Sequence, residues 1–128
     1  TLPWREHTYI GGSSMGGLMA LYMIVMHSDI YSKAACISPH LYPMYKAFRE
    51  DWGHEMYPDT KVYISWGGYE YDTHDLFAKV TDQNLQVIRA LLKKPGVDVW
   101  PHVFKNDNHS EAAWEKELHV WLSELEIA

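Results

Sequence analysis

A chain of 128 residues is long enough to bury one core and reads as a single domain over 1–128. Its 11 Lys and Arg stand against 17 Asp and Glu, a formal charge of −6, and no basic run interleaved with aromatics offsets it, which argues against nucleic acid as a partner. Cys36 is the only cysteine, which excludes an intrachain disulfide and a cysteine-based metal cluster, and no run is long and apolar enough to span a membrane.

The opening TLPWREH is short and polar, unlike a secretory leader, so a cytoplasmic location is expected. Thr8 to Gly12 reads as a strand. From about Met15 to His27 the pattern is helical, with Leu18, Leu21, Tyr22 and Val25 recurring along one stripe. Lys33 to Ser38 forms a second strand ended by Pro39, with Cys36 inside it as a packed core thiol. Residues 40–58 make an irregular aromatic connection with one short helix. Lys61 to Trp66 is a third strand, stopped by Gly67 and Gly68. A helix begins near Asp75 or Thr81 and runs to Lys94, with Leu85, Ile88, Leu91 and Leu92 on one side, before Pro95-Gly96 ends it. Val97 to Phe104 is a fourth strand whose internal Pro101 indicates an edge position or a bulge. Glu111 to Glu124 closes the chain as a helix with Trp114, Leu118, Trp121, Leu122 and Leu125 apolar. Strands alternating with helices predict an α/β fold, a mostly parallel sheet of about four strands with helices on both faces. Sites in such sheets form at the carboxyl ends of the strands.

Residues 12–16, GSSMG, satisfy G-x-S-x-G centred on Ser14. Ser13 fails the same test because Met15 lies two positions beyond it. A serine on a sharp strand-to-helix turn is held in a strained backbone conformation with its hydroxyl pushed outward. The residues two before and two after it then approach closely, hence Gly12 and Gly16. The following helix aims its positive end at the site, and the Met15 N–H is placed to donate to an oxyanion. A Gly/Ser turn can also simply join a strand to a helix. What favours a nucleophile here is the context, a strand before and an amphipathic helix after.

A nucleophilic serine needs a base, and the base an orienting carboxylate, in the chain order Ser, acid, His for this type of sheet. Of the eight histidines, only His109 occupies a polar turn directly after the final strand and before the final helix. The turn after the third strand, SWGGYEYDTHD, offers Glu70, Asp72 and Asp75. Glu70 comes first after the glycine pair; each carboxylate could equally cap the next helix or face solvent. Asp72, His74 and Asp75 could be read as hard metal ligands, but two or three in one loop are weak evidence.

REHTYIGGSSMGG, KVYISWGGYE and NHSEAAWEKEL together resemble the C-terminal half of an esterase-D-type α/β-hydrolase, the group of feruloyl, acetyl-xylan and enterochelin esterases. The resemblance covers nearly the whole chain. It implies Ser14 as nucleophile, Glu70 as the triad acid, His109 as the base, and Trp114 as the tryptophan of an H-x-x-x-x-W motif. Gly68 stands where the group usually carries Thr. Such enzymes have about four more strands before the nucleophile turn, one of whose loops supplies a second oxyanion N–H. The strand before Ser14 should therefore be a sheet edge with an uncovered apolar face: the chain is either a fragment or a miniature version whose subunits cover one another, and as a stable protein it is expected to be a homo-oligomer.

These features lead to a serine carboxylic ester hydrolase acting on small or aromatic esters, with no cofactor and no metal. Tyr42, Trp66 and Tyr69, with Tyr45 and Tyr71, are the expected substrate-pocket residues, although core packing or oligomer contacts would explain such aromatics as well. The alternatives are a non-catalytic binding or assembly module that keeps the half-fold, and an acyltransferase using the same triad.

Overall fold

The computed structural model describes residues 4–39, 55–67, 74–104 and 111–127. A 3-10 turn over Arg5–His7 leads into β1 (Tyr9–Ser13), α1 (Met15–Met26), β2 (Lys33–Ile37), β3 (Thr60–Gly67), α2 (His74–Leu92), β4 (Val97–Phe104), α3 (Glu111–Lys116) and α4 (Leu118–Glu124). The strands are parallel and lie in the order β1-β2-β3-β4. The expected α/β architecture is therefore observed.

The two central strands explain the layering. Parallel strands covered on both faces read as nearly continuous apolar runs, and β2 and β3 do so: Ala34, Ala35, Cys36, Val62, Tyr63 and Ile64 are all buried. Alternate side chains then go to opposite layers. Ala34, Cys36, Val62, Ile64 and Trp66 pack with Leu21, Ile24 and Val25 of α1 and Val87, Ile88 and Leu91 of α2. Ala35, Ile37 and Tyr63 pack against Leu125, with Trp114, Trp121 and Val120 joining from the last two helices. Burial pushes the Cys36 thiol far above its ordinary range, as befits a core side chain.

Element boundaries shift in instructive ways. β1 extends through Ser13, one residue beyond the strand expected from sequence, so the sharp turn falls on Ser14 alone. α2 begins at His74; Val80, Gln83, Asn84, Val87, Ile88 and Leu91 are buried on it, whereas Leu85 and Leu92 are exposed. Of the stripe expected from sequence, Ile88 and Leu91 lie on the contact face and Leu85 and Leu92 do not. β4 keeps continuous register with β3 from Thr60↔Val97 to Gly67↔Phe104, so Pro101 marks an edge strand and not a bulge. The single closing helix is in fact two, broken at Glu117.

β1 is the other edge: its outer side meets no strand among the described residues. Beside it, α1 carries no charged residue and is apolar all round. Its inner side is buried while Met15 (59%), Met19 (57%) and Tyr22 (38%) stay exposed. At the opposite, N-terminal end of the sheet, buried Arg5 acts as a clamp. Its Nε donates to the Ser28 carbonyl at 2.5 Å and its Nη2 to Thr60 Oγ1 at 2.6 Å, joining the chain before β1 to the start of β3. No helix among the described residues is long and apolar enough to cross a membrane.

Candidate active site

Ser14 sits between β1 and α1 with φ 57° and ψ −120°, a backbone region that L-residues avoid. Backbone hydrogen bonds on both sides hold it there. Its N–H donates to the Ile37 carbonyl of β2 at 3.0 Å, and its carbonyl accepts from the Leu18 N–H at 3.0 Å. The strain is thus imposed from both sides, by the neighbouring strand and by the first turn of α1. The N–H groups of that first turn, Met15 included, have no intrahelical acceptor and form the positive end of the helix.

The glycines around Ser14 have unequal roles. A Cβ on Gly12 would lie 2.6 Å from the backbone C and O of Gly16, so the close approach across the turn is real. A Cβ on Gly16 itself would meet nothing within 4 Å. The expectation of a steric need at Gly16 is corrected: what presses on Gly12 is the Gly16 backbone. The second glycine that geometry demands is Gly17, whose added Cβ would stand 2.5 Å from the Ile37 carbonyl oxygen. Gly17 brings α1 down onto the end of β2. Its signal was present in the sequence as the second glycine of SMGG.

Beyond the turn, the ends of β2 and β3 are tied together. Ser38, buried and with φ 46°, donates its N–H to the Ser65 carbonyl at 2.7 Å. Its Oγ accepts from Trp114 Nε1 at 3.0 Å, which docks α3 beside the Ser14 turn. Ser65 Oγ in turn donates to Glu117 Oε1 at 2.5 Å, and the Tyr63 hydroxyl approaches the same oxygen at 3.5 Å. Burial, and then the charge of Glu117, push the Tyr63 hydroxyl well above its usual range, so it remains a proton donor. A groove of about 550 Å³ lies between this layer and β1, lined by Gly12, Ser13, Ile37, Trp114 and Trp121 among others.

Trp66 does not belong to a substrate pocket. It is 2% exposed, packed in the α1–α2 layer, and its Nε1 donates to Thr81 Oγ1 at 3.0 Å. The expected pocket role for Trp66 is therefore corrected to a core role, because position 66 of β3 points to the layer opposite α3 and α4. Glu70 and His109 lie outside the described residues, as do Tyr42, Tyr45, Tyr69, Tyr71 and Asp72. His102 is engaged elsewhere, with Nε2 2.8 Å from Glu124 Oε1 and its ring 5.3 Å from that of Tyr63. Among the described residues no group of three or more His, Cys, Asp and Glu is placed to hold a metal ion.

Comparison with known proteins places this geometry in context. The esterase family model matches residues 1–125. No curated protein matches the chain. Among solved structures it is similar to S-formylglutathione hydrolase of Staphylococcus aureus, at 18% identity and a TM-score of 0.62, over 94% of this chain and 51% of that one. It is similar also to an IroE-like serine hydrolase of Shewanella oneidensis (16% identity, TM-score 0.65, 91% of this chain and 37% of that one). A siderophore hydrolase of Aspergillus nidulans matches at 16% identity with a TM-score of 0.60, over 92% of this chain and 48% of that one. The chain thus spans about half or less of the length of these structures, and at such identities the likeness is one of fold.

Proposed function

Because the chain belongs to the esterase family, we propose that it is a serine ester hydrolase in which Ser14 is the nucleophile. The observation that carries this is the Ser14 backbone: a non-glycine residue at φ 57° between a strand and an apolar helix, held by Ile37 and Leu18. Strain of roughly 1–3 kcal/mol is maintained at one residue only when the surroundings over-determine it. Here it presents a hydroxyl at the carboxyl end of the sheet.

In this reading Ser14 Oγ attacks the ester carbonyl as His109 takes the hydroxyl proton. Glu70 orients His109 and stabilises its charged form. The Met15 N–H donates to the oxyanion that forms as the carbonyl carbon becomes tetrahedral, a donor whose removal typically costs on the order of 10²–10³ in rate. His109 then returns the proton to the leaving alcohol, and water repeats the sequence on the acyl-serine. Small and aromatic esters are the proposed substrates.

A fluorophosphonate probe with p-nitrophenyl acetate tests the proposal. Wild type is expected to label on Ser14 and to turn over, and Ser14→Ala to do neither. An intact, folded wild type that takes no label refutes catalysis. It would favour the second reading, a binding or assembly module, to which the open edge of β1 and the uncharged outer side of α1 are suited.

A further inference from the structure

Glu117 is a carboxylate where the helical pattern calls for an apolar residue. It sits at the break between α3 and α4, 3% exposed, its N–H donating to the Trp114 carbonyl and its carbonyl accepting from the Trp121 N–H. Burying a carboxylate is costly unless donors converge on it. β3 supplies such donors: the Ser65 hydroxyl at 2.5 Å and the Tyr63 hydroxyl at 3.5 Å. One helical turn earlier, Trp114 Nε1 is bound to Ser38 Oγ at the end of β2. Six-residue α3 is therefore fastened at two points to two adjacent strands.

The fastening leads back to the nucleophile. Ser65, which donates its side chain to Glu117, accepts the Ser38 N–H at its carbonyl at 2.7 Å. The neighbouring Ile37 carbonyl accepts the Ser14 N–H at 3.0 Å. A line of hydrogen bonds thus crosses the carboxyl ends of β1, β2 and β3, ending in the buried carboxylate. In sequence, α3 is the helix into which the His109 segment runs, with Trp114 five residues beyond His109. An apolar residue at 117 could fill the same space, but it could not hold Ser65 and Tyr63.

We infer that Glu117 is a positioning residue. Through Ser65 and Tyr63 it fixes the orientation of α3 relative to the Ser14 turn, and so the surroundings in which Ser14 reacts. The inference rests on the proposed hydrolase reading for its consequence in catalysis, though not for the fastening itself.

Glu117→Leu removes the acceptor, while Glu117→Gln keeps an oxygen for Ser65 and Tyr63. With p-nitrophenyl acetate, Glu117→Leu should lose roughly 100-fold in kcat, the scale of a small misplacement of a reacting group. Its KM should stay within about twofold, and fluorophosphonate should still label every Ser14, only more slowly. Glu117→Gln should stay within about tenfold of wild type, since it exchanges charged hydrogen bonds for neutral ones. Independently of activity, hydrogen exchange at the Trp114 indole N–H, assigned by its absence in Trp114→Phe, should quicken about tenfold or more in Glu117→Leu and remain slow in Glu117→Gln.

If Glu117→Leu does not fold, Ser65→Ala replaces it, with the same direction expected in kcat and in indole exchange. The inference is overturned if the acceptor-less variant keeps kcat within twofold with unchanged indole exchange. It is equally overturned if kcat falls only in proportion to the fraction of Ser14 that labels, the mark of lost fold. Should wild type neither label nor hydrolyse, the hydrolase reading fails, and indole exchange alone decides whether Glu117 holds α3.

Discussion

Alanine substitution at three glycines around Ser14 separates steric need from motif spelling. At Gly17 the new Cβ would stand 2.5 Å from the Ile37 carbonyl oxygen and 3.2 Å from the Gly12 oxygen and the Ile37 nitrogen. Ordinary contact begins at 3.4 Å, so α1 would have to retreat by roughly 0.9 Å, against backbone that no rotamer change can move aside. Overpacking of this kind costs about 1–3 kcal/mol, partly offset by the better helix propensity of alanine. Gly12→Ala meets the Gly16 backbone at 2.6 Å and gains no helix propensity, because position 12 lies in β1. Gly16→Ala meets nothing within 4 Å and should stabilise by about 0.5–1 kcal/mol.

The expected order of stability is therefore Gly16→Ala, wild type, Gly17→Ala, with Gly12→Ala no better than the last. The spread of about 2–4 kcal/mol should appear as roughly 10 °C in Tm for a chain of this size. Urea unfolding with unchanged m-values would tie the shifts to the native state. The reasoning is refuted if Gly16→Ala falls as far as Gly17→Ala, or if Gly17→Ala lies within about 0.5 kcal/mol of wild type, the range of an ordinary surface change.

Ser14→Gly and Ser14→Ala should both abolish labelling, yet Ser14→Gly should be the more stable by about 1 kcal/mol, because only glycine relieves φ 57°; equal Tm values would mean that the turn stores no strain. Tyr63 has its hydroxyl pKa raised by burial and by Glu117, so the folded state keeps a proton that the unfolded state releases. Stability should be unaffected by this group below about pH 10 and fall as pH rises beyond it, by no more than about 1.4 kcal/mol per pH unit. Tyr63→Phe should show a shallower alkaline decline, and parallel curves for the two proteins would contradict the assignment. We propose that a second copy covers β1 and the outer side of α1: light scattering at micromolar concentration should report a homo-oligomer, and Met19→Lys should shift it toward monomer. A sharp wild-type monomer would remove that proposal.

What could be read from the residues alone was whatever backbone geometry writes locally. Gly12, Ser14 and the uncharged run of α1 specify a strand, a strained turn and a helix within fifteen residues, and the alternation of strand-like and helical runs pointed to a mostly parallel sheet. The pitch of a helix is equally local, but its rotation about its own axis is not. Along α2, Leu85 and Leu92 are as apolar as Val87 and Ile88, and only docking on the sheet decides that Val80, Asn84, Val87, Ile88 and Leu91 turn inward. Trp66 failed for a similar reason: an aromatic at a strand end faces one of two layers, and one step in register reverses the choice. Glu117 is the most telling case. Read along the chain, it is one acid in a helix whose neighbours at 114, 118, 121 and 125 form an apolar stripe. The reason for a carboxylate there lies in Ser65 and Tyr63, more than fifty positions earlier, and no periodicity connects them. The apolar stripe therefore predicted one continuous helix, whereas the chain breaks at the residue that is fastened to the sheet. Local rules locate the candidate nucleophile; the groups that hold its surroundings in place are set by contacts between strands and helices distant in sequence.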